Sequence, residues 1–500
     1  MGTTVWLSLD HSSKEIIMST PTDHNAMLAP GYDANRVRKA IRDNVWLHFT
    51  NMQDFQDPAL RPLVLVKGDG STVWDSDGNA YLDLLAGIYS VNAGYGRRRI
   101  MEAMMAQLEQ IPFINPFGFT SVPTAVLADR LGDLAPLGGN ARIFFTSGGS
   151  ESVETALKLA KQYQMTLGFP NRYKTISRRT AWHGTTAGAL SVNGLTVARS
   201  TFGPLVPGAR HVPMSHRYRC PYCKDAGACN LTCYDEVERA VEFEGPETVA
   251  AIIMEPVQNV GGCIPPGSQE YFKKIRKLCD DTGILMIMDE VICGFGRLGE
   301  LFASTYYDVM PDLITTAKGI TSSYAPLGAV MARKSVADVF NDGPGFLHGL
   351  TFGGHPVSTA AAVANLDIIL EEDLPGKAKA TGAYLRSQLE SRLGDHPHVG
   401  DIRGAGLFLG IEVVADKATK ESPEYDADVL QWMTAEMRSM GLIVRNDGRG
   451  DPTTQLCPPL IITREECDRA VDVLESTFDG LARKLGTIGT QHAVTHSIVP

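Results

Sequence analysis

Two short apolar runs end on residues able to do chemistry. Ile284-Leu285-Met286-Ile287-Met288 ends on Asp289 and Glu290, and Leu313-Ile314-Thr315-Thr316-Ala317 ends on Lys318 and Gly319. Each run reads as a buried strand that delivers its ionisable residue at the C-terminal end. In open α/β sheets ligands sit at that edge. A lysine amine placed there can condense with an aldehyde, and a carboxylate can hold a pyridine nitrogen protonated. An electron-accepting pyridinium with a lysine partner is what pyridoxal phosphate chemistry requires. Either residue alone reads equally well as an ordinary strand-end or turn residue.

Three further stretches belong to the same kind of edge. Thr146-Ser147-Gly148-Gly149-Ser150 lies between a strand-like and a helix-like segment. Its glycines let the backbone approach a ligand, and free amides at a helix N-terminus favour a phosphate dianion. An ordinary glycine-rich turn would look the same. Trp182-His183-Gly184 follows the strand-like Tyr173–Ile176 and offers an aromatic face for a pyridine ring. Met254-Glu255-Pro256-Val257-Gln258 ends another apolar strand on a carboxylate. Separately, Cys220, Cys223, Cys229 and Cys233 have the spacing C-x2-C-x5-C-x3-C. That spacing suggests a tetrathiolate zinc site, but its intervals are those of neither a ribbon nor a knuckle, so no metal is assigned.

Asp289-Glu290-Val291, Gly294-Phe295-Gly296-Arg297 and Ala317-Lys318-Gly319 together resemble the signature of class III (subgroup II) aminotransferases. These are pyridoxal phosphate enzymes of fold type I, and the resemblance runs from about Leu63 to Leu474. It implies that Lys318 is the Schiff-base lysine and proton carrier, with Asp289 on the ring nitrogen. It implies that Gly149 and Ser150 bind the phosphate, because Glu151–Ala156 continues the family text. Trp182 would stack on the ring where the family usually has Tyr or Phe, with Val291 on the other face. His183 would be a hydrogen-bonding neighbour, and Glu255 would lie near the 3-hydroxyl with Gln258 behind it. Thr351, in Thr351-Phe352-Gly353-Gly354-His355-Pro356, would reach the phosphate across a dimer interface. Tyr89 would line the substrate pocket. Arg445 resembles the mobile arginine of ω-amine:pyruvate enzymes, which grips a carboxylate with paired hydrogen bonds. Arg403 resembles a structural arginine of the family. Several relatives carry a similar Tyr-Arg-Cys-Pro loop, which implies free thiols at Cys220 and its neighbours.

The elements that must position these residues follow from periodicity. Arg142–Phe145, Thr248–Met254 and the two runs above read as strands. Ser150–Gln164 and Tyr271–Cys279 read as helices, and the strand-turn-helix repeat implies a mostly parallel sheet covered on both faces. Leu63–Gly87 reads as a small antiparallel meander, and Ala34–Asn51 has helical character. The expected fold is α/β, fold type I. A large domain with a mostly parallel sheet of the seven-stranded type would be joined to a smaller α+β domain built from both termini. The expected boundaries are an extension at 1–30, small-domain segments at 31–85 and 361–485, a large cofactor domain at 86–360, and a flexible tail at 486–500.

At 500 residues the chain is long enough for more than one core. A net charge of -11 argues against nucleic-acid or anionic-membrane partners. No apolar run spans a bilayer and the first residues lack a signal-peptide pattern, so a cytoplasmic protein is expected. Nine cysteines without an export signal read as reduced thiols. The expected activity moves an amino group from an ω-amino acid or primary amine to a keto acid, pyruvate first, in a homodimer or a tetramer. Alternatives are a racemase, decarboxylase or aminomutase on the same cofactor, or a zinc-stabilised non-catalytic scaffold.

Overall fold

The runs ending on Asp289 and Lys318 form adjacent parallel strands in the computed structural model. The structure describes residues 28–56, 62–224, 228–343, 345–423 and 426–495. The expected extension at 1–30 falls almost wholly outside them. In chain order the strands are β1 (Leu65–Asp69), β2 (Thr72–Asp75), β3 (Ala80–Asp83), β4 (Arg142–Thr146), β5 (Lys174–Arg178), β6 (Ala209–Val212), β7 (Val249–Met254) and β8 (Leu285–Asp289). They continue with β9 (Leu313–Thr316), β10 (Gly328–Ala332), β11 (Val399–Ala405), β12 (Phe408–Val413), β13 (Leu442–Ile443), β14 (Arg445–Asp447) and β15 (Thr453–Leu456).

The described residues fall into two compact units: those up to Gly68 with Val73–Ala80, and Asp69–Thr72 with those from Tyr81 onward. In the first, the helix Ala34–Asn44 starts at Asp33, whose carboxylate accepts from the Arg36 amide at 2.7 Å. The helix ends at Asn44, short of the Asn51 that apolar spacing alone implies, because Val45 is already extended.

The second unit holds a seven-stranded sheet in the order β4-β10-β9-β8-β7-β5-β6. β9, β8, β7, β5 and β6 run parallel to one another, whereas β10 runs antiparallel to both β9 and β4. β7 through β10 are buried along their whole length, as strands covered on both faces are. Alternation divides their side chains. Ile253, Leu285 and Ile287 pack with Val153, Ala156 and Ala160 of the helix Gly149–Thr166. Ile252, Met254, Met286 and Met288 pack with Tyr271, Phe272 and Ile275 of the helix Glu270–Thr282. Asp289 follows Ile287 by two residues, so it emerges on the side of the Gly149–Thr166 helix.

A second, antiparallel sheet has the order β11-β12-β15-β14, and β13 pairs in parallel with β3. The closing helix is Arg464–Thr495. It continues past Leu485, where the sequence reading begins a flexible tail. A glycine costs a helix only about 1 kcal/mol relative to alanine, so Gly486 and Gly489 do not stop one already running. Residues 496–500, with His496, lie outside the described residues. Among the described residues no helix is long and apolar enough to cross a membrane.

Candidate active site

Asp289 ends β8 fully enclosed. Its Oδ1 accepts from Thr315 Oγ1 at 3.0 Å and from the Val291 amide at 3.2 Å, while Oδ2 accepts from His183 Nδ1 at 2.7 Å. Thr315 reaches it because the β8–β9 register sets Asp289 directly opposite Thr315. His183 is itself placed by Asn193, whose Oδ1 accepts from the His183 amide. The other ring nitrogen, His183 Nε2, is buried and has no partner among the described residues.

Lys318 lies two residues beyond β9 with φ +49°, and Tyr89 has φ +62°. Both are non-glycine residues in the left-handed region, a conformation that clusters where a site needs an otherwise unfavourable geometry. The Lys318 ammonium lies 5.6 Å from the centroid of the Tyr89 ring, and the Arg445 guanidinium lies 6.0 Å from the same centroid. Tyr89 is fully buried, its ring packs edge-to-face with Phe408 with the centroids 5.8 Å apart, and its hydroxyl donates to Gln455 Oε1. Gln455 Nε2 donates in turn to Asn259 O at 2.9 Å. Burial lowers the Lys318 amine to about 8, against the opposing pull of Asp289, Cys457 and Glu255. Arg445 pushes the same way as burial.

The helix Gly149–Thr166 points its N-terminus at this edge, and first-turn amides have no partner inside their own helix. A side chain at Gly149 would meet Val291, its Cβ falling 2.9 Å from Cγ1. Ser150 Oγ accepts from the Thr185 amide at 3.0 Å. Gly184, at φ +126°, is pressed on Ser150: an added Cβ would fall 2.9 Å from Ser150 Cα. Gly184→Ala is therefore expected to displace the Ser150 turn and weaken cofactor retention by about 1–3 kcal/mol, measured by equilibrium dialysis of the cofactor.

Glu255 accepts from the Trp182 amide and the Asn259 amide, both at 3.0 Å, and burial pushes its carboxyl above the usual carboxylate range. Gln258 turns away to Arg179 O at 3.2 Å and is bridged to Ile264. Arg403 is consumed structurally: Nε donates to Gly262 O and Nη2 to Gly261 O, each at 2.7 Å, and Nη1 donates to Glu412. Glu290, beside Asp289, is also structural. It accepts from the amides of Ala303 and Ser304 and from Ser304 Oγ, capping the short helix Ala303–Tyr306. Thr351 is exposed in the turn preceding the helix Pro356–Glu371, and the chain does not bring it into the contacts above.

Sequence reasoning missed Thr315, Gln455 and Arg449. The Arg449 guanidinium stands 5.3 Å from the Trp182 ring centroid. Its only signal is a Gly448-Arg449-Gly450 tip in a polar stretch.

Among the four clustered thiols, Cys223 and Cys229 approach to 3.9 Å between sulfurs, and the Cys223 amide donates to Cys220 Sγ at 3.4 Å. Among the described residues the one set of three groups close enough to share a metal is His216, Glu412 and Asp451. Arg219 and Arg403 already neutralise its carboxylates.

The residues fit pyridoxal phosphate. The helix terminus beside Gly149 suits a phosphate, the buried Asp289 suits a ring nitrogen, and the lysine amine suits the aldehyde. A parallel-sheet edge carrying that set defines a fold-type I pyridoxal phosphate enzyme. The family described as Aminotransferase class-III matches residues 55–478. A probable aminotransferase of Mycobacterium tuberculosis is 46% identical over 446 residues, covering 88% of this chain and 94% of its own. A putrescine–pyruvate aminotransferase of Pseudomonas aeruginosa is 37% identical over 443 residues, covering 88% and 95%. The solved structure of a thermostable (S)-enantioselective omega-transaminase from Thermomicrobium roseum matches with a TM-score of 0.84 at 40% identity, over 90% of this chain and 99% of that one. The chain belongs to the class-III aminotransferases and is a pyridoxal phosphate-dependent transaminase with amine and keto acid substrates.

Proposed function

We propose that this enzyme moves the amino group of an ω-amino acid or primary amine to a keto acid, with pyruvate as acceptor. The observation that carries this reading is the placement of Lys318 and Arg445 against one ring, Tyr89. A guanidinium within reach of the reacting amine can hold the carboxylate of a keto acid by two parallel hydrogen bonds. The pyruvate-using relative from Pseudomonas aeruginosa supports the acceptor.

In this reading Lys318 attaches the cofactor and carries the proton at the reacting carbon. Asp289, oriented by His183 and Thr315, keeps the ring nitrogen charged. The amides of Gly149 and Ser150 hold the phosphate. Trp182 and Val291 would enclose the ring, and Glu255 would stand by its hydroxyl. When bound, the cofactor supplies the electron sink.

A homodimer completes the site. Thr351 lies beside Phe352, and Phe117, Phe119, Val122 and Leu347 also expose large apolar surfaces, Val122 at 77%. A second copy covering that face would bring its own Thr351 towards the phosphate. The protein is placed in the cytoplasm.

The test is absorbance of the holoenzyme titrated with amines and then with pyruvate. Conversion by an amine and restoration by pyruvate supports the assignment; conversion without restoration favours a decarboxylase or racemase. Arg445→Ala is expected to raise the KM for pyruvate about 10- to 100-fold, the cost of a lost charged hydrogen-bond pair, with kcat changed far less. The lowered lysine also predicts a pH dependence. The neutral amine is the reactive form, and its fraction grows tenfold per pH unit below about 8 and levels above. Covalent loading of apoprotein with pyridoxal phosphate, followed by absorbance in stopped flow, should follow that curve.

A further inference from the structure

Gln455 is fully buried on β15, the strand between β12 and β14. A carboxamide there needs partners at both ends, because a buried polar group left unpaired is costly. Its Nε2 donates to Asn259 O at 2.9 Å. A backbone carbonyl only accepts, so this bond settles which end of the carboxamide faces Tyr89. That end is Oε1, and the Tyr89 hydroxyl must be the donor. The phenol proton is committed to Gln455, so Tyr89 serves Lys318 as an aromatic surface and not as an acid.

The strand register adds a second link. Gln455 lies directly opposite Arg445 across the β14–β15 hairpin, and directly opposed residues project from one face of a sheet. Its opposite number on β12 is Gly410, which has no side chain to compete for that face. Tyr89 meets both members of the Arg445–Gln455 pair, through its ring and its hydroxyl, and the same ring faces the Lys318 amine. The Tyr89 backbone sits at φ +62°, which a tyrosine holds only where its surroundings impose it. Asp83 imposes part of it by accepting from the amides of Leu85 at 3.0 Å and Gly87 at 2.7 Å. Gln455 and Phe408 hold the ring itself. Beyond Gln455 the links continue, since the Asn259 amide donates to Glu255, which also accepts from the Trp182 amide.

We propose that Gln455 is a positioning residue for transamination: by holding the Tyr89 ring it keeps Lys318 and Arg445 in one geometry, so that a keto acid gripped at Arg445 presents its carbonyl carbon correctly for reaction. This rests on the reading of Arg445 above and adds the residue that sets its distance from the lysine. Gln455 acts through Tyr89 and needs no contact with substrate. A misplacement of about 1 Å in such a frame costs about 100-fold in rate, so one hydrogen bond to the ring is enough to matter.

The experiment is a double-mutant cycle on the amine-loaded holoenzyme, with Gln455→Leu, Tyr89→Phe and the two combined, and with Arg445→Ala beside them. Leucine fills the volume of the carboxamide and phenylalanine keeps the ring, so both changes break the same hydrogen bond. The acceptor half-reaction is followed by cofactor absorbance with pyruvate and with propanal, which has a reacting carbonyl but no carboxylate. In Gln455→Leu the ratio of specificity constants for pyruvate over propanal should fall about tenfold or more. Tyr89→Phe should lower it in the same direction. The double variant should lie within about twofold of the worse single one, because one link is lost in all three. An unmoved ratio, with both acceptors slowed alike, makes Gln455 a packing residue and overturns the proposal. So do losses that multiply in the double variant. If Gln455→Leu does not fold, Tyr89→Phe decides alone: a lowered ratio supports the link and an unchanged one overturns it. If Arg445→Ala leaves the wild-type ratio unchanged, the carboxylate grip assigned to Arg445 is what fails. The donor half-reaction with butylamine then judges Gln455 through Lys318: losses that do not multiply support its hold on Tyr89, and losses that multiply remove it.

Discussion

Lys318→Ala is expected to lower turnover by about four orders of magnitude or more. Proton transfer by a positioned side chain contributes up to about 10⁴-fold, and the covalent role adds to that. Lys318 is the lysine that the backbone at φ +49° sets against Tyr89, and burial lowers it to about 8, so that the neutral form becomes the major one at mildly alkaline pH. The cofactor should still bind, because the phosphate and ring contacts proposed for Gly149, Ser150, Asp289 and Trp182 are untouched. Single-turnover absorbance with a donor measures the loss, and added methylamine should restore part of the rate by supplying a diffusible base. Activity within tenfold of wild type would falsify the assignment of Lys318.

Asp289→Asn should cost about 10³-fold in kcat with a small change in KM, the scale of removing a preorganised charge from a water-poor site. The substitution keeps the shape. An amide oxygen can still accept from Thr315 and from the Val291 backbone, so folding should survive. What is lost is the negative charge and the acceptor for His183 Nδ1, which lies 2.7 Å from Oδ2. His183→Ala should reproduce part of the defect, because it removes the group that fixes the carboxylate's orientation. Steady-state kinetics at saturating donor and acceptor, with unfolding curves for both variants, separate this from a folding defect. If Asp289→Asn turns over within tenfold of wild type, the ring partner is another residue, and Glu255 becomes the next to test.

Both residues were legible in the sequence for a local reason. A buried strand is a run of adjacent apolar residues, and the residue that ends it is read directly from the chain. The helix Gly149–Thr166 behind its glycine-rich turn and the mostly parallel sheet follow from the same short-range periodicities. The motifs around Asp289 and Lys318 then carried the family and its cofactor.

What surrounds those two residues was not legible. Thr315 reads as one more strand threonine until the β8–β9 register puts it opposite Asp289. Tyr89 and Gln455 are joined across 366 positions, and nothing in either neighbourhood announces the other. β10, which lies between β4 and β9 and opposes both, was not distinguished from the loops around it. Arg445 came from a motif, yet Arg449 had none, and only the β14–β15 turn lays it on Trp182. The four thiols were picked out by their spacing alone, and only the tertiary structure sets the Cys223 and Cys229 sulfurs 3.9 Å apart. Residue type and local period determined which elements form and which of their ends carry chemistry. Strand order, register and the path of the hairpin decided which side chains meet there, because those depend on packing that no single stretch of sequence contains.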